Sequence, residues 1–175
     1  FCPERTILAS STSTIIPSRF AEVTQRPDRV LVAHYTGPSY LSPLAEVVRT
    51  EQTSDETVDM VFQALTKVGK KPVMIQKEVP GFIAIRLEVA LMREALSMVQ
   101  RGIASPEDID PVLKTGHPPG WVAAGIFERV EVGIGWDLIN NAIKRVLPDI
   151  DSSMDVINLI QEKVDKGEVG AKTGK

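Results

Sequence analysis

The sequence predicts an α/β layer followed by an all-helical domain, with the change of class near Pro80-Gly81. Before that point, short apolar runs bounded by polar residues alternate with stretches of helical period, the pattern from which α/β layers are built. Beyond it, every apolar pattern has helical spacing. The Pro-Gly pair between the two regimes is itself a turn signal. The expected domains are therefore residues 1–79 and residues 80–175, with no internal repeat or low-complexity tract.

Ile7-Leu8-Ala9 and Val30-Leu31-Val32-Ala33 read as strands, with a helix near Pro17 to Thr24 between them. Leu44 to Arg49 alternates, so that Leu44, Glu46 and Val48 share one face and Ala45 and Val47 the other. Thr53 and Glu56 have the spacing of a capping box, and Val58, Val61, Phe62 and Leu65 recur at helical intervals up to Gly69. Pro72 to Ile75 is the last strand. From Phe82 to Gln100, Leu87, Ala90, Leu91 and Met98 lie on one side of a helix and Ile85, Val89, Met92, Leu96 and Val99 on another, which predicts burial from two directions. Gly102 ends that helix, and Ser105, Pro106 and Asp108 supply a cap, a first-turn proline and a first-turn acid for the next. Further helices are expected near Val122 to Val132, Trp136 to Leu147 and Met154 to Lys166.

A chain of 175 residues that is 43% apolar can bury a sizeable core. Its net charge of -3 comes from mixed charges without a basic block, which gives nucleic acid or an anionic membrane no footing. The apolar runs fall far short of the roughly 20 residues that span a bilayer, and no signal peptide is visible at Phe1-Cys-Pro-Glu-Arg5. With Cys2 as the only cysteine, no intramolecular disulfide is possible and no metal site is expected. That suits a reducing compartment, the cytoplasm or an organelle matrix.

Two glycine motifs fail as nucleotide sites. Gly133-Ile-Gly135 lacks a third glycine and follows a helical pattern, so it reads as a helix-to-helix turn, and the tail from Gly170 to Lys175 has the wrong spacing for a phosphate loop. The better constellation is Ser13 after the first strand, His34 at the end of the second, and Glu46 on the next extended run. Strand ends converge on the crevice where α/β sheets bind ligands. An imidazole held there by a carboxylate can take and return a proton near neutral pH, and a serine hydroxyl can bond the reacting oxygen. Spacing alone equally allows a strand-end histidine and a surface acid. His117 reads as a solvated loop residue, and Trp121 and Trp136 as packing anchors.

The runs Ile7-Leu-Ala-Ser-Ser-Thr-Ser-Thr14, Arg26-Pro-Asp-Arg-Val-Leu-Val-Ala-His34 and Pro43-Leu-Ala-Glu-Val-Val48 resemble the 3-hydroxyacyl-CoA dehydrogenase family. Pro80-Gly-Phe-Ile83 with Arg86-Leu87, Ala104 to Asp110, and Lys172-Thr-Gly174 continue the pattern in the same order. The resemblance implies the carboxy-terminal part of a Rossmann-type NAD-binding domain, then a helical domain like that of 6-phosphogluconate dehydrogenase, which closes the substrate cleft and forms a homodimer. It also implies oxidation of a 3-hydroxy acid or 3-hydroxyacyl thioester to the 3-keto compound. His34 is then the catalytic histidine, Glu46 its partner, Ser13 the serine near substrate oxygen and nicotinamide, and Lys172 a cofactor contact.

The glycine-rich strand-turn-helix unit that holds the pyrophosphate is not among these residues, so the chain alone is expected to be incomplete as an enzyme. Three positions depart from the family pattern: Ser11, Gly37 and Ile85 stand where side-chain amides are implied, Ile85 at a substrate-lining position. Ser11-Thr-Ser13 and Lys77 to Ala84 look more like the branch with L-carnitine dehydrogenase and the lambda-crystallin-like gulonate dehydrogenases, which implies a free hydroxy acid. Gly120 before Trp121 departs from that branch, which has an arginine there. The alternative is a repurposed relative without dehydrogenase activity, a non-redox acid/base enzyme or a binding or structural protein.

Overall fold

In the computed structural model, which describes residues 2–171, the chain divides into two compact units after Val89. The first holds a four-stranded sheet of β1 (Leu8–Ser10), β2 (Val30–Tyr35), β3 (Leu44–Arg49) and β4 (Lys71–Ile75), in that spatial order. β1 runs parallel to β2 and β3 parallel to β4, each pair joined through helix: α1 (Ser18–Ala21) in the first connection and α2 (Asp55–Lys67) in the second. The central pair is antiparallel. Residues 36–43 are too few for the crossover that a parallel pair needs, so the chain turns back directly. Glu46 consequently lies near the start of β3, beside the carboxyl end of β2, and not at a carboxyl end of its own strand.

Alternation along β2 and β3 builds two cores. Leu31, Ala33, Ala45 and Val47 pack with Leu65, Val61 and Phe62 of α2 on one face. Val32 and Val48 pack with Ile75, Phe82 and Phe20 on the other. His34 and Glu46 are an even number of positions from Val32 and Val48, so they share the second face. Full burial of a side chain such as Phe82 contributes on the order of 1.5–3 kcal/mol.

The cap of α2 lies one residue beyond its expected place. Ser54 is the N-cap, accepting the Thr57 amide at 3.2 Å. Thr53 is drawn inward, because its buried hydroxyl donates to the Val30 carbonyl at 2.6 Å and accepts the Thr50 amide at 2.9 Å. It pins the α2 entry to the start of β2.

Helix α3 (Ala84–Gln100) begins after Phe82, and the two-sided burial expected of it is not reached within the single chain. Only Ser97 in it is buried, while Leu87, Val89 and Met92 are 64%, 58% and 51% exposed. Among the described residues, Leu87 and Leu91 on one stripe and Val89 and Met92 on the other stay exposed.

The second unit is helical: α4 (Pro106–Thr115), α5 (Pro118–Ala123), α6 (Ile126–Arg129), α7 (Trp136–Val146) and α8 (Val156–Asp165). Ser105 and Asp108 form the reciprocal cap of α4. The helix expected from Val122 to Val132 is instead broken, because Ala124 is extended and Gly125 starts α6 with its amide donating to Glu128 at 2.7 Å. A π-helical turn, Val130–Ile134, follows, and Gly135 at φ 85 delivers the chain into α7. Arg101 pairs with Asp149 at 2.9 Å, and Glu94 accepts the Asp151 amide at 2.9 Å. Trp121 and Trp136 are half exposed rather than packing anchors, and the Trp136 indole donates to Glu131. Among the described residues, no helix is long and apolar enough to cross a membrane.

Candidate active site

The antiparallel register sets His34 directly opposite Glu46. Directly paired residues on one face have neighbouring side chains, so an imidazole on β2 and a carboxylate on β3 meet without any loop to place them. His34 Nδ1 lies 2.7 Å from Glu46 Oε2. Both residues are buried in the sheet face, 2% and 1% exposed.

A carboxylate so deeply buried is tolerable only when its oxygens are bonded. Glu46 Oε1 accepts the backbone amides of Ile83 at 2.8 Å and Ala84 at 2.9 Å, at the start of α3. The first amides of a helix have no partner within it and carry the positive end of its dipole, so they suit an anion. With Oε1 occupied by two donors and an ionised carboxylate able only to accept, the bond to Oε2 requires the proton on His34 Nδ1. That leaves Nε2 as the nitrogen with a lone pair, the tautomer of a general base.

Phe82 closes the other side of the ring, with centroids 5.5 Å apart and planes inclined at 55°. Ser13 follows β1, which runs parallel to β2, so it lies at the same end of the sheet as His34. Its hydroxyl is exposed and makes no hydrogen bond to either member of the pair. The turn around it is set by Thr12, whose hydroxyl accepts the Ile15 amide at 3.1 Å. Ile85, half-buried in the first turn of α3, lies next to the two amides that hold Glu46. Lys172 lies outside the described residues.

The structure therefore brings His34 and Glu46 together, leaves Ser13 near but unconnected, and adds partners the sequence reading missed. Those partners are Phe82 and the amides of Ile83 and Ala84. Pro80-Gly81 signalled a turn, but backbone donors carry no side-chain signature. His117 is exposed, and Arg129 donates to its carbonyl at 3.3 Å.

Residues 1–79 match the family model for the 3-hydroxyacyl-CoA dehydrogenase NAD binding domain, and residues 81–175 that for the 3-hydroxyacyl-CoA dehydrogenase C-terminal domain. The chain is 43% identical over 121 residues to L-carnitine dehydrogenase of Burkholderia mallei, covering 69% of this chain and 38% of that protein. It is 36% identical over 177 residues to a probable 3-hydroxybutyryl-CoA dehydrogenase of Bacillus subtilis, covering 99% and 59% respectively. Among solved structures, an NAD+-dependent 5-formyl-3-hydroxy-2-methylpyridine 4-carboxylic acid 5-dehydrogenase superposes with a TM-score of 0.94 at 29% identity, over 99% of this chain and 56% of that one. The chain thus spans between about two fifths and three fifths of the length of these relatives.

Proposed function

Because the chain belongs to the 3-hydroxyacyl-CoA dehydrogenase family, we propose that it carries the proton-transfer site of an NAD-dependent dehydrogenase acting on a 3-hydroxy acid or its acyl thioester. The observation that carries the reading is the buried His34–Glu46 pair at 2.7 Å, with the carboxylate's second oxygen held by two amides.

In this reading His34 Nε2 takes the hydroxyl proton as the carbon-oxygen double bond forms, and later returns it to solvent. Glu46 stabilises the imidazolium formed in that step. Bound NAD would supply the hydride acceptor for the carbon that becomes the carbonyl, so that the proton lost to His34 is matched by one hydride. Ser13 offers a free hydroxyl at the His34 end of the sheet, which fits the nicotinamide and the reacting oxygen. No glycine-rich turn for the pyrophosphate lies within these 175 residues, so the residues present fit the nicotinamide end of the cofactor only. The apolar Ile85 beside the pair favours a substrate without a polar group at that point.

We also infer that the helical part pairs with a second copy of the chain. Phe127, Val132, Leu138 and Leu147 are each more than half exposed, as is much of α3, and monomers seldom leave so much apolar surface in water. The catalytic reading is tested by following NADH formation by the complete protein with a series of 3-hydroxy acids and their coenzyme A thioesters. Reduction of NAD by members of either class is expected. Failure of both classes would remove the dehydrogenase reading.

A further inference from the structure

We propose that Phe82 is a positioning residue for the His34–Glu46 pair, acting through its left-handed backbone and its ring together; this rests on reading the pair as the proton-transfer site. Phe82 is fully buried and has φ 48, and it is the one non-glycine residue with positive φ among the described residues. A bulky side chain does not adopt that region without compensation, so the surroundings must hold it there.

The conformation has a specific effect. Gly81 at φ 78 and Phe82 at φ 48 follow one another, and the Phe82 amide closes the turn on the Val79 carbonyl at 3.3 Å. This double left-handed step reverses the chain just before α3. The next two amides, of Ile83 and Ala84, then converge on Glu46 Oε1. An extended or right-handed Phe82 would turn those donors elsewhere, leaving one oxygen of a buried carboxylate unbonded. The freed carboxylate could rotate, and the Nδ1–H bond that fixes the His34 tautomer would loosen with it.

The side chain completes the arrangement. Packed with Val32, Val48 and Ile75, the ring anchors the turn to the sheet while its tilted contact with His34 limits how far the imidazole can swing. Backbone and ring thus fix the two partners from one residue. Phe82 itself need touch neither substrate nor cofactor.

The test uses the complete protein with Phe82→Leu, which keeps most of the apolar volume, and Phe82→Ala, which removes it. Turnover is expected to fall severalfold in the first and about ten- to a hundredfold in the second, as misplacement by about 1 Å does. KM for the hydroxy substrate should stay within about twofold, because no binding contact is removed. The Nδ1–H proton resonance of His34, assigned by its absence from His34→Gln, should broaden or shift in both variants. A role confined to packing would lower the melting temperature without moving that resonance or separating kcat from KM. Folded Phe82→Leu with wild-type kcat and an unchanged resonance would overturn the proposal, and this arm decides even where Phe82→Ala does not fold. If His34→Gln turns over normally, the dyad reading fails instead. A crippled His34→Gln beside a normal Phe82→Leu removes the positioning role alone.

Discussion

Glu46 serves three donors at once, the His34 ring and the amides of Ile83 and Ala84. Glu46→Gln should therefore do two things. It removes the charge that stabilises the imidazolium, and with its Oε1 kept on the two amides its NH2 faces His34 Nδ1, which must then accept, so that the ring proton moves to Nε2 and the base is lost. Turnover should fall by at least about tenfold, and unfolding free energy by roughly 1 kcal/mol, the difference between charge-assisted and neutral hydrogen bonds. Steady-state kinetics and denaturant unfolding of the same variant measure both, and turnover near the wild-type rate would mean that neither the charge nor the tautomer it fixes is used. At this scale the sequence offered His34 and Glu46 as strand residues able to carry acid/base chemistry, while spacing left a strand-end histidine and a surface acid open, and the family resemblance is what paired them. It did not disclose Phe82, whose contribution lies in a backbone angle, nor the two amides, which any residue type would supply.

The elements were legible where periodicity is strong and obscure where a single residue decides. The strands around Val30 and Leu44 and the helix α2 follow from alternation and helical spacing. The antiparallel β2–β3 pairing follows only from the shortness of residues 36–43, a weaker sign than the strands themselves. The break between α5 and α6 was hidden, since Val122 to Val132 keeps an apolar pattern across the extended Ala124. At α2, Thr53 and Ser54 compete for one cap, and burial decides it: Thr53 finds the Val30 carbonyl and Ser54 is left to cap. Ser54→Ala should thus cost about 1 kcal/mol, seen as a modest fall in melting temperature with activity retained. No change would place the capping bond elsewhere.

The largest gap between sequence and structure is at the scale of the whole molecule. The two apolar stripes of α3 predict burial from two sides, yet Leu87, Val89, Leu91 and Met92 are exposed in the single chain. The pattern was read correctly as apolar. What a sequence cannot say is whether its cover comes from the same chain or from another copy. With a second copy as the cover, sedimentation of the complete protein should show a dimer, and Leu91→Glu should dissociate or aggregate it. A monomer at high concentration would contradict this. The family's cofactor is likewise only partly represented, since residues 1–79 match an NAD-binding domain while the glycine-rich turn is not among them.

The central claim is that His34 moves the substrate proton, and the turnover of His34→Gln in the complete enzyme tests it most directly. General acid/base groups contribute about two to four powers of ten, so kcat should fall at least about a hundredfold with NAD affinity little changed. The loss should be strongly non-additive with that of Glu46→Gln, as expected of two residues in one unit. Turnover near the wild-type rate in His34→Gln would contradict the account and leave the pair as a structural contact in the sheet.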